Sequence, residues 1–295
     1  MFQKCRGFKW DITFIFKNLL FSIKYSKIAI EKRRGKEKMQ KFFVEENQID
    51  RNQVVIQGTD VNHIKNVLRM KTGDVLLVGN KQTKETYLVE ITSVQAENIG
   101  CKIKEKQQEK KEQVAITLYQ GLPKADKLEW IIQKTTEIGI HSIVPVITER
   151  TIVKLDPKDK TKKQDRWQKI AEVAAKQCKR SDIPEIKGIR TLEEIGQDIK
   201  EYDIFLIAYE EEKANTLKYC LRRSIELEKE IKNVGIFIGP EGGVSIREIE
   251  KLKSYGENVK CVTLGDNILR TETAPMVMLA NILYEFMDGK GEKGY

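Results

Sequence analysis

The chain has 295 residues, more than one ordinary domain needs, so two domains are expected. Its formal net charge of +9 is local: residues 1–38 hold 11 Lys/Arg against 3 Asp/Glu, whereas the other 257 hold 42 against 41, so bulk basicity is no argument for nucleic-acid binding. Five scattered cysteines without a Cys-x-x-Cys pair, and only two histidines, suggest neither a disulfide framework nor a protein-bound metal, and a reducing cytoplasm is the consistent compartment.

Residues 1–38 contain the apolar run Phe14 to Ile23. Asp11, Lys17, Lys24 and Lys27 keep it well below bilayer-spanning length, and no small-residue cleavage site follows it. Two readings stand. The leader is either a basic amphipathic segment at a membrane surface or an extension upstream of a true start at Met39. The second is adopted, so no stable membrane association is expected.

From Gln40 to Lys104 short β-type runs follow one another: Phe42 to Val44, Val54 to Ile56, Asp74 to Val78, Thr86 to Ile91 and Ile99 to Ile103. A helical pattern between the second and third, Val61 to Met70, places Val61, Ile64, Val67 and Leu68 on one face. Short strands with Gly73-Asp74 and Gly79-Asn80 turns suggest a small barrel. His63 alone reads as a helix-face residue and Arg69 as surface charge. The charged stretch Lys104 to Gln113 lacks apolar content and marks the domain boundary.

The second half alternates strands with long helices, the signature of a parallel sheet covered on both faces. Strands are expected at Val114 to Tyr119, Ile143 to Ile147, Ile204 to Ala208 and Val234 to Ile238. Helices are expected from Leu128 to Gly139, Trp167 to Arg180, Ala214 to Lys232 and Pro275 to Met287. Gly239-Pro-Glu-Gly-Gly243 must turn sharply, since paired glycines accept positive φ and let a ligand approach the backbone. Ser245 and Glu248 stand in capping-box spacing and start a helix there. A second glycine-marked loop, Leu264 to Thr273, carries Arg270 and Glu272 before an apolar helix. Both loops should lie at the carboxyl edge of one sheet, where open α/β sheets bind ligands. Neither a P-loop nor a Gly-x-Gly-x-x-Gly fingerprint is present, so a neutral or zwitterionic cofactor fits better than a triphosphate or NAD.

Ile238-Gly-Pro-Glu-Gly-Gly243, followed by Leu264-Gly-Asp-Asn-Ile-Leu-Arg-Thr-Glu-Thr-Ala274, resembles the RsmE family: S-adenosylmethionine-dependent methyltransferases acting on N3 of a uridine in 16S rRNA of the small ribosomal subunit. The resemblance runs from Met39 onward. It implies a leader at 1–38, a PUA-like RNA-binding β-barrel at 39–106, and an α/β SPOUT methyltransferase domain with a parallel sheet and trefoil knot at 113–289. It further implies a homodimer in the cytoplasm. By resemblance, the cofactor rests on Gly239, Pro240, Glu241, Gly242, Gly243, Leu264, Gly265, Ile268, Leu269, Thr271, Thr273 and Ala274. The loop after Ile204–Ala208 is expected to add a third wall.

RNA contacts are expected at Lys41, His63, Arg69, Lys124, Lys127, Arg150 and Arg180, although family members usually carry Arg where this chain has Lys41. Pro275 stands where Ala is commoner. Arg270 is expected to stabilise negative charge on the uracil oxygens. Glu272 is the candidate for receiving the N3 proton, provided its surroundings raise its proton affinity; the alternative is that it pairs with Arg270. Three rival functions stay open: another SPOUT RNA methyltransferase, a non-catalytic ribosome-assembly protein, and a small-molecule enzyme.

Overall fold

The computed structural model describes residues 39–107, 114–152, 157–227 and 230–286. The leader and most of the charged boundary stretch lie outside them.

The first sheet has six strands: β1 (Lys41–Val44), β2 (Ile49–Asp50), β3 (Gln53–Gln57), β4 (Val75–Asn80), β5 (Thr86–Val94) and β6 (Asn98–Lys106). Their order is β1-β4-β5-β6-β3-β2. Only β1 with β4 is parallel; the other ladders are antiparallel. As expected, the short strands form a small curled sheet, here a half-barrel. β2 is two residues long and pairs with β3, so among the described residues no ladder joins it to β1. Register shifts between Leu88 and Val89 and between Ile91 and Ser93 bend the central β5–β6 ladder, as bulges do. Phe42, Val54, Ile56, Leu76, Val78 and Ile91 fill the concave side.

Helix α1 (Thr59–Asn62) continues as a π-turn over His63–Val67, with Leu68 N donating to His63 O at 2.9 Å. The wider turn adds a residue per revolution. Val61 and Ile64 are therefore buried as expected, but Val67 is carried off the face and is 65% exposed.

The second sheet runs β10 (Arg190–Thr191), β8 (Ser142–Ile147), β7 (Ala115–Gly121), β12 (Asn233–Ile238), β11 (Ile204–Ala208), β13 (Val259–Val262), with β9 (Glu185–Ile186) beside β8. Every ladder is parallel. Alternate side chains serve opposite faces, as the period of two requires. Ile116, Leu118, Leu206, Val234 and Ile236 face one core, shared with helices α2 (Lys127–Ile138), α3 (Pro157–Cys178), α5 (Leu217–Leu227) and α7 (Ala274–Phe286). Tyr119, Phe205, Ile207 and Phe237 face the other, shared with α4 (Leu192–Ile195) and α6 (Ile246–Lys253). Burial on both faces explains why these strands read as unbroken apolar runs.

Helix α3 starts about ten residues before the expected Trp167. Its added turns, Lys158 to Arg166, are charged and so carry little apolar periodicity to announce them. Lys176 on α3 pairs with Asp60 of α1 at 3.0 Å and joins the two sheets. Among the described residues no helix is long and apolar enough to cross a membrane.

Candidate functional site

Because the ladders are parallel, β7, β11, β12 and β13 all end at the same edge, and the segments leaving them converge there. Gly121, the last residue of β7, allows the segment after β12 to approach it: a Cβ on it would stand 2.6 Å from Pro240 Cδ and 2.7 Å from Pro240 N. The loop after β12 turns through Gly243 at φ +73°, and α6 then starts on the expected capping box. Glu248 N donates to Ser245 Oγ at 3.2 Å, and Ser245 N to Glu248 Oε2 at 2.9 Å. Glu248 also accepts from Glu149 N at 2.8 Å, so one buried carboxylate fixes both the helix start and the segment after β8.

The loop after β13 is pinned by Thr271. Its hydroxyl donates to Gly239 O at 2.7 Å and accepts from Gln120 Nε2 at 3.1 Å, with Thr271 only 7% exposed and Gln120 fully buried. Thr273 N and Ala274 N donate to Arg270 O at 2.8 and 3.0 Å, and α7 begins there with Pro275 as its second residue.

These loops enclose a cavity of about 400 Å³. Its walls take Gly239, Pro240, Glu241 and Gly243 from one loop, and Leu264, Gly265, Ile268, Leu269, Arg270, Thr271 and Ala274 from the other. Two of the expected cofactor residues and the catalytic candidate Glu272 are not in the cavity lining. Gly242 packs against the Arg150 side chain, Thr273 serves the start of α7, and the Glu272 carboxylate faces Lys127. The third wall is Ala208, Tyr209 and Glu210. Glu210 was not singled out in the sequence, although the acidic run after β11 was a visible signal. Its carboxylate lies 2.6 Å from where a Cβ on Gly243 would be.

Lys127, at the start of α2, also lines the cavity rather than the outer surface. Its ammonium stands 3.1 Å from Glu241 Oε1 and 3.1 Å from Glu272 Oε2, and Glu241 followed by Glu272 raises its pKa. Glu241 also accepts from Lys124 N at 3.1 Å. Burial opposes ionisation of Glu241, yet its own amide, Lys127 and the Lys124 amide outweigh it and hold the carboxyl below its ordinary value.

Glu272 behaves likewise: burial opposes its charge, but its own amide, Lys127 and Arg270 together lower its pKa. The raised proton affinity that a base role required is therefore not met. Its main partner is Lys127, in an ion pair without aligned hydrogen-bond geometry, while Arg270 Nη1 is 4.0 Å away. Arg270 itself is 84% exposed and free to turn toward a bound substrate.

The residues expected at RNA divide. Lys124 and Arg150 are exposed and border a smaller hollow of about 220 Å³ on the other side of Glu241 and Gly242, where Arg150 donates to Gly242 O. His63 and Arg69 are both exposed, His63 in the π-turn and edge-on to Phe42, Arg69 two residues past that turn in the left-handed region at φ +54°. Two are internal. Lys41 is 3% exposed, with Nζ donating to Thr86 Oγ1 at 2.7 Å. Arg180 is held by Asp182 at 3.0 Å and Thr136 O at 3.3 Å, its side chain 10% exposed. Neither presents its charge to a polyanion; both serve the packing around them.

Residues 108–283 match a family model described as an RNA methyltransferase domain, and residues 56–104 one described as an RNA methyltransferase PUA domain. Ribosomal RNA small subunit methyltransferase E of Bacillus subtilis strain 168 is 36% identical over 251 residues, covering 84% of this chain and 97% of that protein. A ribosomal RNA small subunit methyltransferase E from Neisseria gonorrhoeae, solved bound to S-adenosyl methionine, is 26% identical. Its TM-score is 0.72, with 84% of this chain and 98% of that chain covered. A Legionella pneumophila methyltransferase solved with bound SAM gives the same identity, coverage and TM-score.

Proposed function

Since the chain belongs to the ribosomal RNA small subunit methyltransferase E family, we propose that it transfers a methyl group from S-adenosylmethionine to ring N3 of a uridine in 16S rRNA of the small subunit. The observation that carries the reading is the cavity itself. At about 400 Å³ it has the size of a small-molecule site, closed by three loops at the carboxyl edge of a parallel sheet.

Its walls suit this cofactor. Ile238, Val244, Leu264 and Leu269 offer apolar surface to a flat base, and Glu210, Glu241 and Asp266 offer carboxylates to cationic groups. Among the described residues, Lys127, already paired with two carboxylates, and Arg270 are the only cations in the lining, which fits a ligand without phosphates. When bound, S-adenosylmethionine supplies an electrophilic methyl group. Gly239, Gly243, Gly265 and their neighbours would hold it through backbone groups.

Arg270, exposed at the cavity rim, donates to the uracil oxygens and stabilises the charge left there when N3 gives up its proton. Glu272 stays ionised beside Lys127 and serves to position the loop; the proton passes to water at the open mouth. Lys124 and Arg150 meet backbone phosphate next to the cavity, which orients the strand without reading it. The target base must lie outside a stack to reach the site.

In this reading residues 39–106 dock RNA and 113–289 carry catalysis. The chain acts in the cytoplasm as a homodimer, for which the exposed face of α7, with Tyr284 76% exposed, is available. The test is nucleoside mass spectrometry of unmodified small subunits incubated with protein and S-adenosylmethionine. N3-methyluridine appearing only with active protein supports the reading. A ribose-methylated product, or none from a folded sample that binds the cofactor, overturns the assignment.

A further inference from the structure

We propose that Lys127 is a positioning residue that couples the two cofactor loops: one ammonium bridges Glu241 after β12 and Glu272 after β13, so the two walls move as one. This rests on the cofactor reading above and assigns Lys127 a role different from phosphate contact.

The geometry separates the two roles. Glu241 and Glu272 stand on loops joined to different strands, and Lys127 comes from a third element, the first turn of α2. Both Nζ–O distances are 3.1 Å, and the three side chains are 19–35% exposed, so solvent screens the pairs only in part. A phosphate arriving at Lys127 would have to displace two carboxylates. It would also face a trio whose charges sum to −1, with Arg270 4.0 Å from Glu272 on the solvent side. A ligand carrying positive charge meets the same trio favourably. Thr271 already fixes the Glu272 loop to Gly239 from the inside, and Lys127 supplies the second tie. With both in place neither loop can shift away from the cavity independently.

The experiment is calorimetric titration of S-adenosylmethionine into the full chain without RNA, on wild type, Lys127→Met, Lys127→Arg and Glu272→Gln, alongside rRNA KM at saturating cofactor. Removal of two partly exposed pairs is expected to weaken cofactor binding about 3- to 10-fold in Lys127→Met, with rRNA KM changed by less than about 2-fold. Lys127→Arg, which keeps the charge and can still bridge, should return to within about 2-fold of wild type. Glu272→Gln removes one arm at a residue outside the cavity lining, leaves Lys127 in place and should fall between, so the proposal remains testable if Lys127→Met fails to fold. Unchanged cofactor affinity with a raised rRNA KM in Lys127→Met overturns the proposal in favour of phosphate contact. Equal losses in Lys127→Met and Lys127→Arg overturn it as well. If wild type binds no cofactor, the functional reading fails first and this proposal with it.

Discussion

Replacing Thr271 with valine keeps the shape of a buried side chain and removes one oxygen that makes two hydrogen bonds. The Gly239 carbonyl loses its 2.7 Å donor and the Gln120 amide loses an acceptor at 3.1 Å, both away from water. Gln120 Nε2 is 3.4 Å from Gly239 O and 3.0 Å from Gly121 O, so part of the loss can be recovered by a small rotation. Unsatisfied buried groups cost about 1–3 kcal/mol, and the available rotation argues for the middle, about 2 kcal/mol. For a chain of this size that corresponds to a melting temperature lower by roughly 4–8 °C. The same bond sets where the second loop meets the first, so cofactor affinity should also fall, by up to about 10-fold if half to two-thirds of the cost appears in the site. Thermal melting and calorimetric titration read both. Thr271→Ser keeps the hydroxyl, loses one methyl worth about 0.8 kcal/mol, and should retain most of the affinity. A Thr271→Val protein that melts and binds like wild type would refute the reasoning. So would a serine variant as impaired as the valine one, because the effect would then belong to packing.

Other outcomes follow from the same geometry. Arg270→Ala should lower turnover about 100- to 1000-fold while cofactor affinity stays near wild type, as expected of a donor used only when charge develops; steady-state kinetics beside binding measurements separate the two. Arg180→Ala leaves Asp182 buried and unpaired, so it should cost about 3 kcal/mol of stability, read by denaturant unfolding, with rRNA affinity unchanged in the folded fraction. Glu241 and Glu272 have pKa values below their ordinary 4.5, so their ion pairs stabilise the folded state above that pH and lose this contribution as pH falls through the lowered values. Melting curves from pH 6 downward should show a loss that flattens in Glu241→Gln and Glu272→Gln.

Local pattern alone determined much of this protein. The unbroken apolar runs at 204–208 and 234–238 are strands because both faces of a parallel sheet are buried. Ser245 and Glu248 cap a helix through contacts three residues apart. The alternation of strands and helices was enough to place two glycine-marked loops at one edge. The motif at 238–243 with that at 264–274 then pointed to the family.

Only the tertiary structure decided which charges are available. Lys41, Arg180 and Lys127 look in sequence like the exposed Lys124 and Arg150, yet the first two are enclosed and the third is shared between two loops. Glu272 lies beside Arg270 in sequence but pairs chiefly with Lys127, 145 positions away. Val67 left its expected face through a π-turn. Periodicity reports the face on which a residue lies. The distance between two charges on different elements depends on sheet register and loop path, which no local stretch of sequence encodes.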